Sequence, residues 1–132
     1  MNDNEIKEIF EKYKKIAVIG LSPNSSRPSF GVTKYLVNVG FDVVGVRPGI
    51  REVMGLKVYE SLTAVPQPIE IVDVFRNSEF VPQIVDEAIR VKAKVLWLQE
   101  GVTHPEAEEK ARAAGLKVIS DRCILKEHRR LL

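Results

Sequence analysis

The amino-acid sequence predicts an α/β fold with a doubly wound, open parallel sheet of about five strands and helices on both faces. Three observations lead to this prediction. Strand-length apolar runs alternate with helix-length amphipathic segments, a pattern typical of right-handed β–α–β crossovers. The first run is apolar almost throughout, as in strands that are covered on both faces. The 132 residues, 45% of them hydrophobic, suffice for one domain over residues 1–132.

The apolar runs predict the strands of this sheet. They are Lys15–Gly20, Phe41–Val46, Ile69–Phe75, Lys94–Gln99 and Leu116–Ser120. We expect the strand order 3-2-1-4-5, which is natural for a doubly wound sheet. Residues 47–68 are less regular and contain several prolines and glycines. Within them, Val58-Tyr59 predicts a short extended piece and Ser61–Val65 predicts one helical turn.

Apolar residues at helical spacing predict the helices. The expected helices are Glu5–Tyr13, Ser29–Val39, a segment after Ser78 that includes Val81–Ala88, Thr103–Gly115 and Ile124–Leu132. In the second helix the apolar positions between Val32 and Val39 repeat at i, i+3, i+4 and i+7, and Gly40 stands where a C-terminal cap glycine is expected. Thr103 and Glu106 form the pattern of a capping box.

Composition and charge narrow the classes of partner. The formal net charge is +2, and basic residues are interleaved with acidic ones except in the tail around Lys126–Arg130, so we expect neither nucleic acid nor a membrane as partner. The apolar runs are far shorter than a membrane span. Cys123 is the single cysteine, which rules out an internal disulfide and fits a reducing compartment. No signal peptide is visible at the start, so we expect a cytoplasmic protein.

The ends of the predicted strands carry the candidate ligand contacts. In open α/β sheets, ligands bind beyond the carboxyl ends of the strands, where the strand order reverses. The candidates at these ends are Gly20, Ser22, Arg27, Ser29, Arg47, Pro48, Phe75, Arg76, Gln99, Gly101, Arg122 and Cys123. Surface arginines are common, and Phe75 or Trp97 taken alone fits a core role better. Gathered at one edge, however, arginines and aromatics suit a ligand with several phosphates and a flat base.

Two features of the sequence bear on the identity of that ligand. The dinucleotide fingerprint G-x-G-x-x-G is absent, because the next glycine after Gly20 is Gly31. Arg47 stands at the end of the second strand, where domains that bind NAD place an acid. An arginine attracts a phosphorylated ribose. The residues therefore leave NADP, with its 2′-phosphate, and coenzyme A (CoA), with its 3′-phosphate, as alternatives.

Several motifs together resemble those of the small CoA-binding Rossmann proteins, which are related to the CoA-binding domain at the start of the succinyl-CoA synthetase α subunit. The motifs are Gly20-Leu21-Ser22 with Arg27-Pro28-Ser29, Asp73-Val74-Phe75-Arg76, Trp97-Leu98-Gln99-Glu100-Gly101, and Asp121-Arg122-Cys123-Ile124 followed by Glu127-His128-Arg129-Arg130. The resemblance extends from about Lys14 to the end of the chain.

The resemblance implies a Rossmann-like fold in which different segments of the chain contact different parts of the cofactor. The loop from Gly20 to Ser29 would hold the phosphates of CoA. Arg47-Pro48 and Phe75-Arg76 would flank the adenosine, and Gln99-Glu100-Gly101 would lie near the pantetheine arm. The family usually has Asn-Pro after the second strand, so Arg47-Pro48 is a departure that leaves the role of Arg47 open.

The sequence offers little chemistry beyond binding. His104 and His128 are the only histidines and have no partners at metal-ligand spacing. No nucleophile elbow and no H-E-x-x-H motif is present. The related synthetase needs a second domain with a phosphorylated histidine, so we expect no complete acyl-CoA enzyme here. Cys123 is either a small buried hydrophobe or a thiol that forms a mixed disulfide with CoA under oxidation.

The leading hypothesis is a module that binds CoA or an acyl-CoA without catalysis of its own and that acts alone, as a homodimer, or docked onto a larger acyl-CoA enzyme. Two alternatives stay open at this point. One is an NADP-binding reductase fragment, which Arg47 favours and the missing glycine fingerprint opposes. The other is a structural interaction domain that dimerises through an edge strand or the basic tail and binds no small molecule.

Overall fold

The computed structural model describes all residues of the chain, Met1–Leu132, as strands alternating with helices. The strands are β1 (Lys15–Ile19), β2 (Asp42–Val46), β3 (Glu52–Val53), β4 (Leu56–Tyr59), β5 (Ile71–Val74), β6 (Val95–Leu98) and β7 (Lys117–Ile119). The helices are α1 (Asp3–Lys12), α2 (Pro28–Asn38), α3 (Val81–Arg90), α4 (Pro105–Ala113) and α5 (Ile124–Leu131), with short 3₁₀ turns at Leu62–Ala64 and Ser78–Phe80.

All the strands join one sheet in the order β3-β4-β2-β1-β5-β6-β7, and only the β3–β4 pair is antiparallel. The predicted fold class is confirmed, but the expected strand count and order are wrong in detail. Ile71 of the predicted third strand pairs with Ile16 of β1, and not on the far side of β2. That outer position belongs to β4, where Val58 pairs with Gly45. The short extended piece predicted at Val58-Tyr59 is therefore a full member of the sheet.

Helices cover both faces of the sheet and enclose two apolar clusters. On one face α1, α2 and α5 pack over a cluster that includes Phe10, Leu36, Trp97 and Ile124. On the other face α3 and α4 pack over a second cluster. The chain thus leaves β1 towards one face through α2 and leaves β5 towards the opposite face through α3. A crevice opens where such neighbouring connections diverge.

The helix ends show which local predictions were correct. Gly40 has φ +101°, and the N–H groups of Gly40 and Phe41 donate to the carbonyls of Val37 and Leu36 at 3.1 Å each. This is the Schellman arrangement, so the predicted C-terminal glycine cap of α2 is confirmed.

The capping box predicted from Thr103 and Glu106 is wrong by one position. His104 is the N-cap of α4: its Nδ1 accepts from the N–H of Ala107 at 3.1 Å, and its own N–H donates to Glu108 Oε2 at 2.8 Å. The N–H of Thr103 instead donates to the hydroxyl of Ser78 at 3.1 Å. An imidazole nitrogen can act as the capping acceptor, which the serine/threonine pattern does not anticipate.

The closing helix α5 is held to the rest of the molecule by His128. Its ring packs against the edges or faces of Phe10, Tyr35 and Phe41, with centroids 5.1–5.5 Å apart, and its Nδ1 lies 2.7 Å from the Tyr35 hydroxyl. Burial lowers the pKa of His128, and the positive charge of Lys14 lowers it further. The neutral imidazole is therefore the form that fits this aromatic surround.

None of the helices is both long and apolar enough to cross a lipid bilayer.

His128 is expected to make stability depend on pH. Because its folded-state pKa lies below the unfolded value of 6.5, its contribution is present above pH 6.5 and is lost as the pH falls through the lowered pKa. The stability advantage of the wild type over His128→Gln, measured by urea unfolding, should therefore decrease as the pH is lowered from 7.5 to below the folded-state pKa of His128. An advantage that stays constant with pH would contradict this assignment.

Candidate ligand-binding cleft

A cleft of about 710 Å³ lies at the carboxyl ends of β1, β2, β5 and β6, above the point where the chain diverges. Ten of the twelve sequence-predicted residues line it, all except Gly101 and Arg122: Gly20, Ser22, Arg27, Ser29, Arg47, Pro48, Phe75, Arg76, Gln99 and Cys123. Five further residues line the cleft that were not among the twelve candidates: Pro28, Val32, Asn77, Glu100 and Val102. Pro28 and Glu100 belong to segments that the resemblance placed at the ligand, and Asn77 and Val102 are sequence neighbours of candidate residues.

Gly101 and Arg122 were expected in the site but do not line the cleft. The N–H of Gly101 donates to Asp121 Oδ1 at 2.7 Å, which ties the loop after β6 to the loop after β7. The carbonyl of Arg122 accepts from Trp97 Nε1 at 2.8 Å, and its guanidinium lies 3.8 Å from Glu127. Both residues therefore have structural partners within the protein.

Gly20, directly after β1, lies close against the backbone that follows β5. Its φ is +84°, and a Cβ built there would lie 2.9 Å from the carbonyl oxygen of Phe75 and 3.0 Å from Arg76 Cδ. Real Cβ atoms do not approach backbone oxygens this closely. Only glycine therefore allows Arg76 to lie across the end of β1 and into the cleft.

The loop between β1 and α2 is ordered by its own polar side chains. The N–H of Ser22 donates to Ser29 Oγ at 2.9 Å, and the N–H of Asn24 donates to Ser22 Oγ at 3.1 Å. No side chain caps the N-terminus of α2, which begins at Pro28. The uncapped N-terminus, with its partial positive charge, and the Ser29 hydroxyl thus border the cleft and favour an anion there.

Three arginines of the cleft have no acidic partner. Arg27, Arg47 and Arg76 take part in no ion pair. Outside the cleft some arginines, such as Arg90, are also unpaired, whereas Arg130 pairs with Asp3 at 2.9 Å. The guanidinium of Arg76 lies 4.0 Å from the centre of the Phe80 ring, a cation–π contact that leaves its N–H donors unused.

The single acid that lines the cleft is Glu100, and it pairs with Lys126 at 3.1 Å. The positive charge of the three arginines is therefore not neutralised within the protein. A cleft with this charge attracts a ligand that carries several negative charges.

The two aromatic candidates have different roles. Phe75 is half-buried and lines the cleft. Trp97 is fully buried and stacks on Phe10 with ring centroids 5.4 Å apart, so it belongs to the core.

Beneath the cleft lies a buried polar pair that the sequence analysis did not assign as a pair. Gln99 Nε2 donates a hydrogen bond to Asp73 Oδ1, although 26 residues separate them. Asp73 is completely buried, which raises its pKa to about 7 against the opposing effect of the Gln99 hydrogen bond. Its second oxygen, Oδ2, has no hydrogen-bond partner.

Conventional catalytic groups do not converge on this cleft. Neither His104 nor His128 lines it, and no group of three or more histidine, cysteine or acidic side chains is placed to hold a metal ion. Cys123 lines the cleft as the half-buried N-cap residue of α5. The arrangement is suited to holding an anionic ligand, with one thiol available beside it.

Comparison with known proteins agrees with this geometry. A sequence model described as "CoA binding domain" matches residues 14–129. The chain belongs to the CoA-binding domain family. A member of comparable size, the Bacillus subtilis (strain 168) protein named "Uncharacterized protein YneT", is 40% identical over 124 residues, covering 94% of this chain and 92% of that protein.

The family relation extends to larger enzymes and to solved structures. The acetate–CoA ligase (ADP-forming) I of Archaeoglobus fulgidus is 26% identical over 121 residues, which are 84% of this chain but 18% of the ligase. The solved structure of a hypothetical protein from Pyrococcus horikoshii OT3 superposes with a TM-score of 0.96 at 42% identity, covering 99% of this chain and 92% of that one. The match to the ligase shows that this chain is homologous to the CoA-binding region of ADP-forming acetate–CoA ligases.

Substitution of Gly20 tests the close approach that shapes the cleft. Gly20→Ala should lower the free energy of unfolding by more than about 1–2 kcal/mol. The left-handed backbone alone accounts for about 1–2 kcal/mol, and the displacement of the Phe75 carbonyl adds to that loss. Gly31→Ala is the matched control: it lies in α2 with open space around it, and should raise stability by about 0.5–1 kcal/mol. Equal effects of the two substitutions in urea unfolding would contradict the proposed constraint.

Proposed function

We propose that this protein binds CoA or an acyl-CoA in the cleft and performs no catalysis of its own. The observation that carries the proposal is the convergence of Arg27, Arg47 and Arg76, none with an acidic partner, on one cleft in a chain of the CoA-binding domain family. The cleft volume of about 710 Å³ falls within the range usual for small-molecule sites.

The phosphates of the cofactor are assigned to the end of β1 and the start of α2. The uncapped N-terminus of α2, the Ser29 hydroxyl and the guanidinium of Arg27 offer donors on one side of the cleft. Arg76 offers donors on the other side, across Gly20. Charge-assisted hydrogen bonds from such groups are the usual means of holding a diphosphate.

The adenosine and thiol ends of the cofactor are assigned from the positions of the lining residues along the sheet. Arg47 and Pro48 follow β2 on one side of β1, and Phe75 follows β5 on the other side, so the adenine and the 3′-phosphate of its ribose are assigned to the part of the cleft between them. Gln99 and Glu100 follow β6, beyond β5, and Cys123 precedes α5, so the pantetheine arm is assigned to the β6 end of the cleft. Arg47 there replaces the acid that NAD-binding domains use on the ribose hydroxyls.

Binding without catalysis is proposed because the cleft pairs no nucleophile with a base. Cys123 has no histidine beside it in the cleft, and the homologous region makes up 18% of the Archaeoglobus ligase. A role as a CoA reservoir, or as a subunit docked onto a larger acyl-CoA enzyme, fits these facts.

Calorimetric titration at matched ionic strength tests the proposal directly. CoA should bind more tightly than AMP and than NADPH, and at a hundredfold excess over its dissociation constant it should stabilise the protein by about 2.7 kcal/mol. Affinity for CoA no better than that for AMP would contradict the proposal. Tighter binding of NADPH would favour the reductase alternative instead.

The arginines should carry much of that affinity. Arg27→Ala and Arg76→Ala should each weaken CoA binding about tenfold or more, because each removes a charge-assisted hydrogen bond. Arg90→Ala is the control, since Arg90 is exposed at the end of α3, forms no ion pair and does not line the cleft. If Arg90→Ala weakened binding as much as the other two, general charge rather than the cleft would be responsible.

A second candidate function is a redox-linked carrier of CoA, which the position of Cys123 in the cleft favours. The thiolate of Cys123 would attack CoA disulfide, forming a protein–CoA disulfide and releasing one CoA thiolate, so that no other oxidant is needed. Mass spectrometry after incubation with CoA disulfide should show one added CoA that reductant removes and that Cys123→Ser abolishes. Absence of the adduct in the wild type would end this candidate.

A further inference from the structure

The hydrogen bond between Gln99 and Asp73 fixes which end of the Gln99 amide faces the cleft. Gln99 Nε2 donates to Asp73 Oδ1, so the NH₂ end of the amide is turned towards the buried carboxyl. The other end, Oε1, accepts no hydrogen bond from the protein and is not sealed from solvent, while Gln99 itself lines the cleft. Gln99 Oε1 therefore provides a hydrogen-bond acceptor at the wall of the cleft.

The charge state of Asp73 decides whether this orientation is enforced. An ionised carboxylate only accepts hydrogen bonds, so it requires the NH₂ end of Gln99. A neutral carboxyl has an O–H to place, and Oδ2 has no other partner within the protein. Gln99 can accept a hydrogen bond from that O–H only by turning Oε1 towards Asp73, which would present the NH₂ end to the cleft instead.

We propose that Asp73 is a positioning residue that makes Gln99 select a hydrogen-bond donor on the arm of the bound cofactor, so that binding of the arm strengthens when Asp73 is ionised. The inference rests on the proposed binding of CoA. The arm of CoA supplies amide N–H groups and a thiol as donors, and the adenosine bisphosphate portion is assigned to the other side of the cleft.

The burial of Asp73 brings its ionisation into a pH range in which binding can be measured. The pKa of Asp73 is raised to about 7, by burial first, with the Gln99 hydrogen bond acting in the opposite direction. Other ionisable groups line the adjoining cleft: Arg27, Arg47, Arg76, Glu100 and Cys123. None of them is a cause of the raised value, so Asp73 responds chiefly to its own burial and to Gln99.

The experiment compares CoA with the methyl ester of 3′-phosphoadenosine 5′-diphosphate, which lacks the arm but keeps an esterified 5′-diphosphate, by calorimetry from pH 6 to pH 8. The ratio of their affinities removes the titration of the shared ribose phosphate. In the wild type this ratio should rise about fivefold across the range, the effect of one hydrogen bond. In Asp73→Asn, which cannot ionise, it should stay flat, whereas the exposed control Asp86→Asn should behave as the wild type.

The outcomes separate this inference from the proposed function. Failure of CoA to bind the wild type at any pH overturns both. Binding of CoA with a ratio that is independent of pH, or with the same pH dependence in Asp73→Asn, overturns this inference alone. Should Asp73→Asn not fold, carbon-13 NMR of the Asp73 carboxyl in the wild type decides: addition of CoA should lower its pKa, and an unchanged value overturns the inference.

Discussion

The contact between the ends of β1 and β5 at Gly20 is the constraint on which the rest of the site depends. β1 lies at the centre of the sheet, bonded to β2 on one side and to β5 on the other. The N–H of Gly20 donates to the carbonyl of Val46, and the N–H of Phe75 donates to that of Ile19, both at 2.9 Å. The strand ends are thus held together while their connections depart to opposite faces, and this divergence creates the cleft.

A concentration of unpaired guanidinium groups marks this edge of the sheet. Some cations elsewhere are paired with acids, as Lys110 is with Asp86 at 2.7 Å and Arg130 is with Asp3, whereas unpaired ones such as Arg90 lie outside the cleft. At the cleft, Arg27, Arg47 and Arg76 converge without such partners. Neighbouring like charges repel one another, so an anionic ligand that relieves the repulsion gains affinity from an arrangement the fold alone does not require.

Much of this architecture was predictable because it follows from short-range patterns. Strand-length apolar runs fixed the class of fold, and the arginines and glycine at strand ends fixed the edge at which the cleft lies. The strand order was not predictable in the same way. β4 has four residues of mixed polarity, and its pairing with β2 through Gly45 and Val58 is a tertiary contact that periodicity does not reveal.

The details of the site depend on register and on local turns. Asp73 and Gln99 meet because Asp73 of β5 lies opposite Trp97 of β6, and the sequence does not specify that register. Arg122 ends a strand region just as Arg76 does. It lies outside the cleft, however, because Asp121 adopts φ +57° and binds Gly101, which turns this loop differently. A position at a strand end therefore identifies candidate site residues, and the conformation of the following loop determines whether they face the cleft.

A crystal structure of the protein grown with CoA is the most direct test of the central claim. We expect phosphate oxygens about 2.7–2.9 Å from guanidinium nitrogens of Arg27 and Arg76, with the diphosphate over the loop from Gly20 to Ser29 and the arm running towards Gln99 and Cys123. An empty cleft at saturating CoA, or CoA bound elsewhere with these guanidinium groups turned to the protein's own acids, would contradict it.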